Sequence, residues 1–214
     1  MSGLTDNLDS IAEQIRLSLS AKDAAREKVL PLCREVIRNS SQAIRAVHRQ
    51  EFDRAKELLE SACNLLNEAE RALDVADLVN IGFLRDAQKE FAEGSILLAL
   101  VMGEPVPDPL DLWVSVDSAA YLNGLGEAVG EMRRYLLDCM RKGDLSRGEE
   151  ILSAMDDIYS VLVTMDFPDA ITGGLRRTTD MVRGVLERTR SDLTLVMRQK
   201  DLENRLGKFD IKED

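Results

Sequence analysis

The feature that most restricts the fold of this sequence is the spacing of its apolar residues, which recur every three or four positions over long stretches. This period is that of an amphipathic α-helix, whereas a half-buried strand alternates at every second residue. Aromatic residues are only 4% of the chain, and Leu, Ala, Glu and Arg favour helix over sheet. The sequence therefore predicts an all-α protein, organised as one domain over residues 1–214.

Breaks in the apolar pattern divide the chain into six predicted helical stretches. They cover residues 5–49, 51–77, 80–102, 117–141, 145–165 and about 170–206. Pro31 either bends the first stretch or divides it into two helices. Three prolines exclude helix from residues 104–110, and the polar end of the chain, residues 206–214, is expected to be a frayed tail.

Composition excludes several classes of protein. The three cysteines are far apart and form no CxxC pair, which argues against a disulfide framework or a zinc site and favours a cytoplasmic location. The longest apolar run, residues 96–102, is too short to cross a membrane. A net charge of -11 means that any binding of nucleic acid must use a local basic strip.

Acidic residues are the candidates for chemistry, because the chain has one histidine and no recognisable nucleophile motif. Glu90 and Glu93 are three residues apart and share a helix face, and Glu127 and Glu131 do the same on another helix. Four carboxylates can hold two metal ions, Mg²⁺ or alternatively Mn²⁺, for phosphoryl displacement. From the pattern alone the alternative remains that both acidic pairs are solvated faces.

Two other classes of acidic helical protein are less consistent with this spacing. Ferritin-like iron proteins use Glu-x-x-His, which is missing here. All-α nucleotide pyrophosphatases use ExxE and ExxD pairs, but the second pair here is spaced by four. The second pair also lies among Gly124, Gly126 and Gly130, which predict a close approach of another backbone or of a substrate.

The predicted first helix carries four arginines within about 60° of arc, here called the arginine stripe. They are Arg34, Arg38, Arg45 and Arg49. Binding of RNA phosphates competes with pairing to nearby acids as an explanation. His48 either stacks on a base or packs in the core. A second set, Arg176, Arg183 and Arg190, alternates with acids and is expected to be a solvated face.

Three segments resemble the translin superfamily, and most closely its catalytic branch, translin-associated factor X. They are Arg45-Ala-Val-His-Arg49, Lys89-Glu-Phe-Ala-Glu-Gly94 and Tyr121-Leu-Asn-Gly-Leu-Gly-Glu-Ala-Val-Gly-Glu-Met-Arg133. Arg141-Lys-Gly-Asp144 follows at the distance that the family keeps, and the likeness covers roughly residues 34–206.

The resemblance implies a bundle of about seven helices with long terminal helices, and a closed octamer that cleaves single-stranded RNA with Mg²⁺. It assigns the catalytic and metal-binding roles to Glu90, Glu93, Glu127 and Glu131, although the family usually has aspartate at the position of Glu127. The connection before the fourth helix lacks the family's long insertion, which fits a homo-oligomer. The alternatives are a non-catalytic translin-like protein that binds single-stranded RNA or DNA, and a nucleotide pyrophosphatase.

Overall fold

The structure is a computed structural model that describes residues 4–75, 78, 82–109, 112 and 114–210. Over these residues it contains seven helices and no strand, which confirms the predicted all-α class. The helices are α1 (Leu8–His48), α2 (Phe52–Val75), α3 (Gly82–Met102), α4 (Ser118–Arg141), α5 (Gly148–Thr164), α6 (Asp169–Thr172) and α7 (Leu175–Asp210).

The predicted breaks between the first five helices are confirmed. Pro31 lies inside an uninterrupted α1 with its ring exposed, so the two-helix alternative is excluded. Residues 103–109 are not helical. Asp117 caps α4, because its Oδ1 accepts hydrogen bonds from the N–H groups of Ala119 and Ala120 at 3.0 and 3.2 Å. Helix α5 begins at Gly148, three residues later than predicted, after a turn at residues 146–147.

The predicted last helix, residues 170–206, needs two corrections. Gly173 and Gly174 have φ of +62° and +89°, a left-handed conformation that interrupts the helix and separates α6 from α7. Helix α7 then continues to Asp210, four residues past its predicted end. Residues 211–214 of the expected tail lie outside the described part, as do predicted helix residues 76, 77, 80 and 81.

The core lies between three layers of helix. Helix α1 packs along α2 and α3, α4 packs on α3, and α5 and α7 pack on α4. The largest fully buried side chains include Leu66, Phe91, Ile96, Leu97, Met132 and Leu136. Only the second half of α1, from Val29 onward, contributes buried residues, so its first five turns project beyond the bundle. None of the helices in the described ranges is long and apolar enough to cross a membrane.

A buried amide fixes the start of α4 relative to α3. Gln88 is 5% exposed, and its Nε2 donates to Glu70 Oε1 at 2.9 Å and to the Ser115 carbonyl oxygen at 3.1 Å. A buried amide without partners would be destabilising, so these bonds restrict where the chain can enter α4. Gln88 is two residues before Glu90, the first of the predicted acids, so these bonds restrict the helix next to the acids.

Candidate functional site

Three of the four predicted acids meet across the α3–α4 contact. Glu90 and Glu93 project from α3 and Glu127 from α4, and each offers a carboxylate oxygen that lies within 4.8 Å of the other two. We call these three residues the acid cluster. The two helix faces that the sequence predicted separately are therefore one site in the fold.

The acid cluster depends on a close approach of two helix backbones. A Cβ atom at Gly124 would lie 2.7 Å from the Lys89 carbonyl oxygen and 3.1 Å from the Glu93 nitrogen, so a side chain there would have to push the helices apart. The predicted backbone approach is thus observed at Gly124. Gly126 instead faces the Thr178 and Leu162 side chains, and Gly130 has no atom within 4 Å.

Glu93 is the buried member of the acid cluster. It is 8% exposed, and no described residue gives its carboxylate a hydrogen bond or an ion pair within 4 Å. Burial, followed by the charges of Glu90, Glu127 and Glu131, raises the pKa of Glu93 to about 8. Without a cation the fold therefore favours the protonated form of this acid at neutral pH.

Lys89 is the functional candidate that the sequence reasoning missed. Its Nζ lies 2.8 Å from Glu127 Oε1 and 3.8 Å from Glu90 Oε1. Burial lowers the pKa of Lys89, but the hydrogen bond and charge of Glu127 and the charges of Glu90 and Glu93 together raise it above its usual value. A signal was present, because Lys89 is four residues before Glu93 and shares its helix face.

Glu90 is perturbed in the same direction as Glu93. Burial raises its pKa, the charges of Glu127 and Asp86 add to that effect, and the charge of Lys89 opposes it. Glu90 and Glu93 are both harder to ionise than an ordinary glutamate, and both lie close to Glu127. The site therefore lacks enough positive charge to compensate its carboxylates.

The fourth predicted acid, Glu131, has a different set of partners. Its Oε2 lies 2.5 Å from His48 Nε2 and 3.5 Å from Arg134 Nη1. The hydrogen bond with His48 is the main reason that the pKa of Glu131 is lowered despite partial burial. Glu131 therefore adjoins the acid cluster as a carboxylate whose charge is already compensated.

The contact with Glu131 places the His48 ring inside the fold, apart from the exposed arginines with which the sequence grouped it. Its side chain is only 6% exposed, which leaves no free ring face on which a base could stack. The packing role that the sequence also allowed is the one observed. The partner of the ring could not be read from the sequence, because His48 and Glu131 are 83 residues apart.

The arginine stripe is exposed along α1. Arg38 pairs with Glu35, Nε to Oε1 at 3.1 Å, whereas Arg34, Arg45 and Arg49 form no ion pair with any residue in the described ranges. Arg45 is one helical turn before His48 on α1, so the stripe ends next to the histidine that contacts Glu131. The stripe and the acids thus lie on adjoining parts of the surface.

The donors of the acid cluster fit a hard divalent cation. Mg²⁺ and Mn²⁺ prefer oxygen ligands, and all three residues offer carboxylate oxygens from helices that fix their positions. The unpartnered, buried Glu93 is the strongest indication, because an isolated buried carboxylate is destabilising unless a positive charge compensates it. Glu90, Glu93 and Glu127 are thus the described residues best placed to hold such an ion.

We predict that Gly124→Ala lowers the free energy of unfolding by about 1–3 kcal/mol, because the added methyl group meets backbone atoms that cannot rotate away. Urea unfolding measures the change. The control is Gly130→Ala, where nothing lies within 4 Å and we expect a gain of about 0.5–1 kcal/mol from helix propensity. A Gly124→Ala protein as stable as its control would contradict the close approach.

We predict that Glu93→Gln stabilises the metal-free protein increasingly as the pH rises. The folded protein keeps Glu93 protonated up to about pH 8, whereas the unfolded chain releases this proton near its ordinary pKa of about 4.5. Wild-type stability is therefore lost as the pH rises between these values, and the glutamine variant avoids that loss. Melting temperatures in EDTA, measured between about pH 5 and pH 8, report the difference.

The matched control for Glu93 is Glu68→Gln, an exposed acid on α2. Its melting temperature should follow that of the wild type at every pH. If the melting temperatures of Glu93→Gln and the wild type differ by the same amount at every pH, Glu93 does not keep its proton in the folded protein.

Comparison with solved structures gives AfC3PO in complex with duplex RNA, at a TM-score of 0.81 and 32% identity, covering 88% of this chain and 97% of that chain. AfC3PO alone matches at a TM-score of 0.77, with the same identity and coverage. Apo-NeC3PO shares the fold, with a TM-score of 0.73 and 18% identity, over 91% of this chain and all of that chain.

A relative known from sequence is an uncharacterized protein of Methanocaldococcus jannaschii, 28% identical over 194 residues that span 90% of this chain and 86% of the relative. No protein-family model matches the chain. The AfC3PO match nevertheless covers 88% of this chain and 97% of that chain. At 32% identity over this length, the two proteins share a family as well as a fold. On this evidence, the chain belongs to the translin superfamily, the family of the C3PO proteins.

Proposed function

We propose that this chain is an RNA-binding protein of the translin type that cleaves single-stranded RNA as a divalent-metal-dependent endoribonuclease. The observation that carries the proposal is the convergence of Glu90, Glu93 and Glu127 from two helices, with one of the three buried and unpartnered. The RNA part is supported by AfC3PO, which is 32% identical and was solved with duplex RNA.

In this proposal Glu90, Glu93 and Glu127 hold Mg²⁺, for which Mn²⁺ can substitute. The ion supplies Lewis-acid polarisation of the phosphodiester and positive charge against the negative charge that develops on it. Glu131 is held ionised by His48 and Arg134 and sets the electrostatics beside the cluster. The presence of all four acids favours the catalytic branch, translin-associated factor X, over the binding branch.

The arginine stripe provides the path for the RNA backbone. Phosphate contacts by exposed arginines give affinity and salt sensitivity with little sequence choice. Because the stripe ends beside His48 and Glu131, an RNA strand that follows it is led to the acid cluster. A short local stripe also explains how a chain of net charge -11 binds a polyanion.

We further propose that the chain acts as a homo-oligomer, with the octamer of the family as the expected form. The support is the apolar surface of the projecting part of α1, where Leu8, Ile11, Ile15 and Leu19 are each at least 41% exposed. Apolar side chains at helical spacing normally pack against another surface. A short Pro-rich connection before α4 fits a chain that assembles with itself.

We predict that Glu90→Gln, Glu93→Gln and Glu127→Gln each lower cleavage of labelled single-stranded RNA at least about 100-fold, while binding and assembly persist. Glutamine keeps the volume of the side chain but removes the charge that holds a divalent ion. EDTA should abolish wild-type cleavage and Mg²⁺ should restore it. RNA affinity in EDTA and the assembled mass are measured for each variant.

Two controls make this experiment specific. Glu68→Gln changes the net charge equally at an exposed site on α2 and should cleave as the wild type does. Glu127→Asp restores the usual residue of the family and should keep Mg²⁺-dependent activity. If the wild-type protein binds RNA but shows no metal-dependent cleavage, the chain is a binding protein and not a nuclease. Hydrolysis of nucleoside triphosphates in place of RNA would indicate a pyrophosphatase.

We predict that replacing Arg34, Arg45 and Arg49 together by Gln weakens RNA binding across sequences and flattens its salt dependence. Three lost phosphate contacts correspond to a slope in log K against log salt that is smaller by about 2 for a single strand. The matched control replaces Arg176, Arg183 and Arg190, which pair with Asp166, Glu187 and Asp156. If both triple variants change the salt dependence of RNA binding equally, the arginine stripe is not part of the binding site.

A further inference from the structure

Lys89 lies inside the acid cluster although nothing in the proposed function requires it. Its side chain is 27% exposed, its Nζ donates a hydrogen bond to Glu127 Oε1 at 2.8 Å, and Glu90 Oε1 lies 3.8 Å from the same Nζ. The ammonium group therefore bridges an acid of α3 and an acid of α4. It is the cation that the described residues place nearest to these carboxylates.

The charges of the site limit how many divalent ions it can hold. When a bound cation displaces the proton of Glu93, three carboxylates and one ammonium leave two negative charges, which one divalent ion neutralises. Glu131 is not counted among the ligands, because His48 and Arg134 already contact its carboxylate and compensate much of its charge. A second divalent ion would leave a partly buried site with two excess positive charges, which its surroundings would not stabilise.

The available oxygen atoms limit the site in the same way. Two-metal centres place their ions about 3.5–4 Å apart and share bridging carboxylates between them. Here one oxygen of Glu127 is already a hydrogen-bond acceptor for Lys89, and among the residues that the structure describes only three acids at this site come within 4.8 Å of each other. Glu93 forms no ion pair or hydrogen bond with a described residue, and its carboxylate oxygen lies within 4.8 Å of those of Glu90 and Glu127, so these three oxygens can hold one ion.

We propose that Lys89 stands in for the second metal ion, so that each subunit binds one divalent cation and the Lys89 ammonium supplies the remaining positive charge. This inference rests on the proposed metal-dependent function of the same site. It revises the two-metal arrangement that four acids on two helices suggest. It also makes Lys89 a positioning residue, because its ammonium group contacts both Glu127 and Glu90 and holds their carboxylates close to one positive charge.

The test is the stoichiometry of Mn²⁺ binding by the assembled, RNA-free protein, measured by electron paramagnetic resonance of unbound Mn²⁺. We expect one ion per subunit in the wild type. Lys89→Met removes the ammonium and keeps the length of the side chain, and we expect two ions per subunit. Lys89→Arg retains the positive charge and should still bind one ion per subunit. Lys28→Met, at an exposed position of α1, is the control for loss of a lysine charge and should also remain at one.

Two ions per subunit in the wild type would overturn the role of Lys89 and leave the proposed metal-dependent function intact. One ion per subunit in Lys89→Met would overturn it too, provided that melting temperature and assembled mass show a folded variant; Lys89→Gln repeats the test if Lys89→Met does not fold. Absence of Mn²⁺ binding by the wild type, or wild-type binding by Glu93→Gln, would instead overturn the metal site and the proposed function with it.

Discussion

At Gly124 the backbones of α3 and α4 come so close that a single methyl group would touch the Lys89 carbonyl oxygen. Everything distinctive about the acid cluster follows from this contact. It places Glu127 among the acids of α3, buries Glu93 without a partner, and brings Lys89 into hydrogen-bonding distance of the opposite helix. Gln88, the residue before Lys89, donates a hydrogen bond to the segment before α4 and so restricts the same stretch of α3. The site is therefore a property of the helix interface and not of any one helix.

Much of the fold could be predicted because helices are encoded locally. Apolar spacing and proline positions located five helices within a few residues of their observed ends. The break at Gly173 and Gly174 was missed, because two glycines inside an otherwise helical pattern do not reveal whether their φ angles are positive. The end of α7 was placed too early for a similar reason, since Gly207 is tolerated within a helix.

The acids that meet in the candidate site could be named from the sequence, but their contacts could not. Spacing identified the acid pairs on separate helices, and family resemblance joined them. It could not show that Glu131 is engaged by His48, or that Lys89 reaches Glu127 across 38 residues of sequence. Such partners depend on which helix faces meet, and that is decided by packing over the whole bundle. The three glycines of α4 show the same limit, because one contacts backbone, one contacts side chains and one faces open space.

The projecting part of α1 gives protein concentration a role in folding. Residues 8–28 form about 30 Å of helix outside the bundle, with an apolar stripe of Leu8, Ile11, Ile15 and Leu19 that no described residue covers. Most of the stability of a helix in a protein comes from the packing of its amphipathic face and not from intrinsic propensity. Its order is therefore set by whatever surface it meets, and dilution acts on this segment before it acts on the core. In the proposed homo-oligomer, the number of ordered residues in a subunit would depend on how many other subunits are nearby.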